Sequence, residues 1–360
     1  MLNGYSLIKN CFFAVAALLL LWQFTPFANV AIASLSPKQA AGAHRAPDHA
    51  VRSALPVATP ASAKYSLSFT NQQKLADLPF PENIWQSWKD NSEDPTERTV
   101  GFPQQWRTAN PGFRYERITD SNSETYVRDR FSPQISKLFS DVSDPILRAD
   151  LLRYLILYAD GGVWSDIDTR PAQPVSKWIP EEYANRTNFV VGIENDHNGD
   201  EIWPGVPYTV QLAQYAVLAK PGHVTMARLI ERVCNKLRER LDANDWRNST
   251  QESVSENQNR GLRARDSAPQ LHLSFDEVMS TTGPFPFTAV LMEYFSEQTG
   301  EEYTGNQLMA LKEPKLIGDV LVLPLDSFGW MPQLHTVEEN DPLVKAIHLF
   351  IGSWRASHPD

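Results

Sequence analysis

Cysteine is nearly missing: Cys11 and Cys234 are the two in 360 residues. That count excludes a disulfide framework and any cysteine-rich zinc module. A surplus of basic charge is missing too, since 33 Lys and Arg stand against 43 Asp and Glu, a formal charge of -10. Polyanionic nucleic acid is therefore not an expected partner. Beyond residue 35 no apolar run approaches 18 residues, so a membrane-directed segment can lie only near the start. No repeat of solenoid or propeller period is found. What is present is 42% apolar content, normal for a folded domain, on a chain long enough for one large or two small domains.

The charge is unevenly spread. Residues 1–70 hold Lys9, Lys38, Arg45, Arg52 and Lys64 against Asp48, net +4, which leaves -14 for the rest. Between Lys9 and Lys38 there is no charge, and residues 11–35 are dominated by apolar side chains. That length suits a spanning helix. Its dense part, residues 11–24, and the Ala31-x-Ala33 pattern equally suit a cleaved signal peptide. Basic Lys9 predicts a cytosolic tail over residues 1–10 and a lumenal remainder. Residues 36–78 read as a flexible stem: the part up to residue 64 is rich in Ala, Pro and Ser and cannot bury enough surface to offset chain entropy. Sequons at Asn185 and Asn248 are compatible with a secretory lumen. Cys234 then reads as a buried free thiol.

Residues 79–360 read as one α/β domain. Strands are expected at 83–88, 113–118, 163–168, 188–194, 319–324 and 346–352, and helices at 144–159, 207–219 and 222–241. Residues 242–268 are polar with almost no large aliphatics, which predicts a mobile surface loop.

The densest information lies in residues 146–174. Asp144 can cap a helix entered at Pro145, and Gly161-Gly162 can end it through positive φ. The strand expected next would carry Asp166 and Asp168 on one face, about 6.5–7 Å apart between Cα atoms. Two hard carboxylates at that spacing suit Mn²⁺ or Mg²⁺ shared with a phosphate. Pro171 and Pro174 stop the strand, so the pair falls at its carboxyl end, where open α/β sheets bind ligands. On the preceding helix Asp150 and Arg153 share a face and can reach the same pocket. An isolated Asp-x-Asp is commonly a solvated turn, and Asp150 with Arg153 also fits an ordinary surface ion pair. Here, however, two like charges on one face of an apolar strand call for a cation.

The run DLLRYLILYADGGVWSDIDTRPAQP resembles the signature block of glycosyltransferase family 32, the fungal α-1,6-mannosyltransferases that initiate the N-glycan outer chain. The resemblance covers about residues 80–355. It includes PENIWQSWK at 81–89, a helix bearing Gln211 and Gln214 that leads into AKPGH at 219–223, STTGPFPFT at 280–288, DVLVLP at 319–324 and AIHLFIGSW at 346–354. Trp164 stands where relatives often have tyrosine, so an aromatic is kept.

The resemblance implies a type A glycosyltransferase fold, a Rossmann-like nucleotide-sugar domain whose mixed sheet is flanked by helices. It implies an enzyme using GDP-mannose as donor and Mn²⁺ (or Mg²⁺), retaining the anomeric configuration, and a Golgi, single-pass type II location. The acceptor would be a glycan on a glycoprotein, and a mannosyltransferase complex is a possible partner. Carried over by residue, Asp150 and Arg153 hold the transferred sugar. Asp166 contacts ribose or metal, and Asp168 ligates metal and diphosphate. His348 is a further metal ligand, and Ser353 and Trp354 close over the diphosphate. Trp85 and Gln86 lie near the base, and Gly162 completes the donor-binding set. His348 in an apolar strand also reads as a core histidine, His223 and His335 as structural residues, and Trp85, Trp88 and Trp354 equally as core aromatics. Retention through a covalent intermediate would need a carboxylate under the anomeric carbon, and spacing marks none. Departure and attack on one face, with the leaving phosphate taking the acceptor's proton, is the expected route.

Three other readings compete. A family-32 enzyme acting on inositol phosphorylceramide would usually bring extra membrane spans. A non-catalytic subunit of a mannosyltransferase complex would be expected to have lost Asp166 or Asp168. A metal-dependent hydrolase would need a water-activating base, which no spacing marks.

Overall fold

The computed structural model describes residues 67, 75–92, 96–197, 206–255, 271–329 and 337–359. The expected cytosolic tail, the signal anchor and most of the stem lie outside the described residues, as do His335 and the end of the polar insertion. Among the described residues no helix is long and apolar enough to cross a membrane. Packing begins before the expected boundary at 79. Leu75 is fully buried, and the Lys220 ammonium donates to the Leu75 carbonyl at 2.9 Å, so the last stem residues belong to the domain.

The elements run β1 (Asn83–Trp88), α1 (Phe102–Ala109), β2 (Arg114–Thr119), α2 (Asp120–Arg130), α3 (Pro133–Asp141), α4 (Pro145–Ala159), β3 (Gly162–Ser165) and β4 (Thr169–Pro171). They continue with β5 (Phe189–Asp196), β6 (Val210–Ala219), α5 (Val224–Ser255), α6 (Phe275–Thr281), α7 (Pro284–Thr299), β7 (Lys315–Ile317), β8 (Val320–Leu323), α8 (Leu325–Phe328) and β9 (Ala346–His348). Seven strands form a mixed sheet in the order β2-β1-β3-β6-β5-β8-β7, and β4 pairs with β9 in a separate ribbon. β2, β1 and β3 are parallel, as are β5 and β8, while β6 runs antiparallel to both of its neighbours. One face of the sheet is packed by α4, α5 and α7, and the other by α1, α8 and the segment bearing Trp178. This mixed α/β architecture agrees with the expected fold class.

The structure corrects three expectations. Residues 207–219 hold a strand, β6, where helical spacing was read. β6 lies between β3 and β5 and is buried on both faces, with Gln211 on one and Gln214 on the other, so it shows no alternation to betray a strand. The polar stretch after residue 241 is not all loop, since α5 runs on to Ser255. The strand expected over 163–168 ends at Ser165, and Asp166 to Asp168 form a turn into β4.

Gly161 and Gly162, with φ of 63° and 90°, make the tight link from α4 to β3. A side chain at Gly162 would put its Cβ 2.6 Å from the Asn83 carbonyl oxygen, so β3 can lie against β1 only with glycine there.

Just before β8, buried Asp319 gathers the far side of the domain. It accepts from the Tyr294 hydroxyl, from Asn188 at 2.7 Å and from His223 at 3.2 Å, joining α7, β5 and the start of α5. His223 is thus structural. Burial works against the charge on Asp319, but the bonds from His223, Tyr294 and Asn188 outweigh it and hold the carboxyl at about 2. A folded pKa depressed below its unfolded value gives stability that is present above the unfolded value and is lost as pH falls through the folded one. Asp319→Asn should therefore lower the unfolding free energy by about 2 kcal/mol near pH 7. In urea melts its gap to wild type should close between about pH 4 and pH 2. A gap that does not change with pH would show that the carboxylate charge is not its source.

Candidate active site

α4 starts as expected: the Asp144 carboxylate caps it, accepting from the Ile146 N–H at 3.1 Å, and Pro145 opens its first turn. The helix is apolar around its circumference except at Arg148, which pairs with Glu124 at 3.1 Å, and at Asp150 and Arg153, which are 2% and 3% exposed. The pair is therefore buried, and the surface ion-pair reading falls. The Arg153 guanidinium donates to Asp150 at 2.6 Å and, through its other terminal nitrogen, to Asp166 at 2.8 Å and 3.1 Å.

The Asp166–Asp168 turn is held from behind. The Asp166 carbonyl accepts from the Thr169 N–H at 3.0 Å, the Thr169 hydroxyl at 2.6 Å and the Gln86 amide at 3.0 Å. Tyr115 in turn donates to Gln86 at 2.6 Å, and the Trp106 indole donates to the Thr169 carbonyl at 3.0 Å. Trp164 donates its indole N–H to the Asp166 carboxylate at 2.7 Å, and Arg153 lies over the Trp164 ring at 5.4 Å. The two carboxylates are thus brought to one side by a turn rather than by strand alternation.

The other wall comes from the chain's C-terminal part. β9 pairs with β4 so that His348 stands opposite Thr169, and the Leu349 N–H donates to the Asp168 carbonyl at 3.0 Å. His348 then meets one Asp168 oxygen at 3.0 Å, and the Ile351 N–H donates to the other at 3.0 Å. Phe350 takes a left-handed φ of 47°, a conformation that is costly for an aromatic residue. It reverses the chain so that Ile351 faces Asp168. Tyr215 and Phe350 flank the His348 ring, each with its centroid 4.0 Å away.

These groups line a cleft of about 780 Å³ at the carboxyl end of β1, β2, β3 and β5. Asp150, Arg153, Asp166, Asp168, His348, Ser353 and Trp354 all line it. Trp85, Gln86 and Gly162 do not: Trp85 is a core residue whose indole donates to the Gly161 carbonyl at 2.9 Å, and Gln86 is the support behind the turn. The expected contact of Trp85 and Gln86 with the base, and of Gly162 with the donor, is corrected accordingly. Trp88, at the end of β1, does line the cleft. Trp354 stacks on Phe275, with ring centroids 5.4 Å apart.

Several residues of the site carried no spacing signal. Gln214 donates to Asp150 at 3.4 Å, and Thr282 donates to its other oxygen at 2.8 Å. Glu194 ends the apolar run of β5 inside the cleft, and that position at a strand's carboxyl end was its one sequence mark.

Charge and burial compete here. Burial pushes the Asp150 carboxyl up to about 6, and the Arg153 guanidinium and Thr282 offset only part of that cost. Burial also opposes the Arg153 charge, but Asp166 and Asp150 outweigh it and hold the guanidinium more firmly protonated. The two directions agree because Arg153 is divided between two carboxylates. For Asp168 burial is outweighed by His348 and the Ile351 N–H, which keep its carboxyl below the ordinary value.

Ligand atoms of Asp166, Asp168 and His348 lie within 4.8 Å of one another, a spacing that one cation can bridge. Two carboxylate oxygens and an imidazole form a donor set that several divalent ions accept. The residues therefore fit a divalent metal.

Residues 96–185, which contain the turn, match the family described as glycosyltransferase sugar-binding region containing DXD motif. The initiation-specific alpha-1,6-mannosyltransferase of Schizosaccharomyces pombe is 31% identical over 283 residues, covering 77% of this chain. The chain spans 64% of that relative's length. The Candida albicans protein of the same name is 29% identical over 323 residues, covering 81% of this chain and 79% of the relative. Inositol phosphoceramide mannosyltransferase 2 of S. pombe is 28% identical over 136 residues, 36% of each protein.

Removing one partner of a buried ion pair leaves an uncompensated charge. Arg153→Met should therefore destabilise the domain by about 3–5 kcal/mol in urea unfolding. Adding Asp150→Asn should recover part of that loss, and a strictly additive double variant would sink the account.

Proposed function

The chain belongs to glycosyltransferase family 32, and from that premise we propose that it is a metal-dependent, retaining mannosyltransferase. Its donor is GDP-mannose and its acceptor a protein-linked N-glycan, on which it starts an α-1,6-linked outer chain. Its fold is of the glycosyltransferase type A class. It works in the Golgi lumen behind the N-terminal anchor expected from residues 11–35, a setting in which a mannosyltransferase complex is a possible partner. The observation that carries the reading is the meeting of Asp166, Asp168 and His348 beside Arg153 in a cleft large enough for a nucleotide sugar.

Asp166, Asp168 and His348 would hold the ion, which when bound neutralises charge on a departing diphosphate. Arg153, fixed by two carboxylates, adds a permanently charged group beside the same turn, already oriented before the donor arrives. Asp150, saturated by Arg153, Gln214 and Thr282, serves to orient Arg153 and the sugar side of the cleft. The base is assigned to Trp88, the tryptophan of the first strand that reaches the cleft, in place of Trp85. Trp354, stacked on Phe275, and Ser353 wall the cleft from the C-terminal side and limit water access to the diphosphate.

The longer coverage of the initiation-specific relatives, against about a third of the chain for the inositol phosphoceramide enzyme, favours a glycan acceptor. A screen of nucleotide sugars with Mn²⁺ and a high-mannose acceptor, read by exo-mannosidase digestion, should return an α-1,6-mannosyl product from GDP-mannose alone. Asp168→Ala should remain folded by circular dichroism and lose transfer by at least about 10²-fold, the scale of losing a group that stabilises developing charge. EDTA should abolish wild-type transfer, and added Mn²⁺ should restore it. Turnover by Asp168→Ala at the wild-type rate would sink the proposal.

A further inference from the structure

Four carboxylates face the part of the cleft around the turn, and on three of them both oxygens accept from protein donors. Asp150 takes Arg153, Gln214 and Thr282, Asp166 takes Arg153 and Trp164, and Asp168 takes His348 and the Ile351 N–H. Glu194 differs. The Gln211 amide donates to its Oε2 at 2.8 Å, and among the described residues no group donates to its Oε1. The pairing of β5 with β6 shifts register on both sides of Ile193, so Glu194 stands outside the regular ladder at the cleft's edge. An ionised carboxylate is an acceptor only, and Glu194 is half-buried at the cleft wall, so its second oxygen is open to water or to a ligand. A ligand bearing O–H or N–H groups would complete it.

Strand order says which part of a donor that is. In β2-β1-β3-β6-β5, the turn that fits the metal follows β3, with Trp88 and Thr119 ending β1 and β2 on one side. Glu194 and Gln211 lie on β5 and β6, on the other side. A nucleotide sugar whose diphosphate lies at the turn extends its nucleoside one way and its sugar the other. The flat Trp88 indole, which lines the cleft along with Ile118 and Phe139, suits a base, whereas a carboxylate suits sugar hydroxyls and repels a diphosphate. Resting on the donor reading above, we propose that Glu194 is a donor-selecting residue whose Oε1 accepts a hydrogen bond from a hydroxyl of the transferred hexose. Gln211 is its positioning residue.

The test compares wild type with Glu194→Ala, Glu194→Gln and Gln211→Leu. Calorimetric titration with GDP and Mn²⁺ reports an intact fold and nucleotide site, and the affinity should stay within about twofold of wild type in all three. For GDP-mannose, kcat/KM of both Glu194 variants should fall by about 10- to 100-fold, the range for a hydrogen bond to a charged group. GDP-deoxymannose analogues locate the hydroxyl. Wild type should discriminate against the analogue that lacks it, and Glu194→Ala should treat that analogue and GDP-mannose alike. Gln211→Leu should lose part of the same discrimination. Glu194 variants that use GDP-mannose as wild type does, or that lose GDP affinity as strongly as donor turnover, would overturn the assignment. A wild-type protein that binds neither GDP nor GDP-mannose would instead overturn the donor reading, and this inference with it.

Discussion

The site depends on one buried guanidinium. Arg153 holds Asp150 on its own helix and Asp166 across the Gly161-Gly162 link, so it fixes the angle between α4 and the turn that follows β3. Buried Asp150 lacks the solvent to carry its charge unaided, and Arg153 is the cation beside it. Helical spacing makes the first contact inevitable once α4 forms. The second forms only if the chain reverses at the glycine pair, which needs two positive φ angles and the absence of a side chain against Asn83. Local sequence therefore builds half of the arrangement and backbone permissiveness the other half.

Asp168 is positioned from much farther along the chain. His348 and Ile351 reach it only because β9 pairs with β4, and Phe350 accepts a left-handed backbone to present the Ile351 N–H. Such strain persists where surrounding contacts over-determine it, and here the rings of Tyr215, His348 and Phe350 pack against one another. The end of the same segment is tied to the start of α4, where His358 meets the Asp144 carboxylate at 3.2 Å. The wall over the cleft is thus anchored at both the turn and the helix that carry the acidic residues.

This division explains what could be read from the sequence. Contacts of short range were legible: the Asp144 cap, the Asp150–Arg153 spacing and the glycine pair follow from rules that span four residues or fewer. The strands with β-branched runs were legible too. β6 was not, because a central strand buried on both faces has neither period, and Gln211 and Gln214, three apart, imitate a helical face. The acidic strand was misread for a different reason: alternation predicted that two carboxylates share a side, which is also what the turn achieves, so the right juxtaposition was reached from the wrong backbone. Trp85 and Gln86 were placed near the base by the resemblance, and it is position along β1 that decides the matter, since only its last residues, Ser87 and Trp88, reach the cleft. Glu194 needed its tertiary partner Gln211, and no local pattern announces a carboxylate whose one free oxygen faces a cavity.

The acidic composition then takes on a specific meaning. An anionic donor would be repelled by Asp166, Asp168 and Glu194 around one turn, a charge that Arg153 alone offsets only in part. Asp166, Asp168 and His348 would hold a divalent cation there, and its charge would turn the repelling part of the cleft into one that attracts a diphosphate. Glu194 lacks such a cation-facing geometry, so it stays an acceptor for neutral hydroxyls. Negative charge at the two places thus does opposite work, and the difference comes from which carboxylates share a ligand cage and which is held by an amide alone.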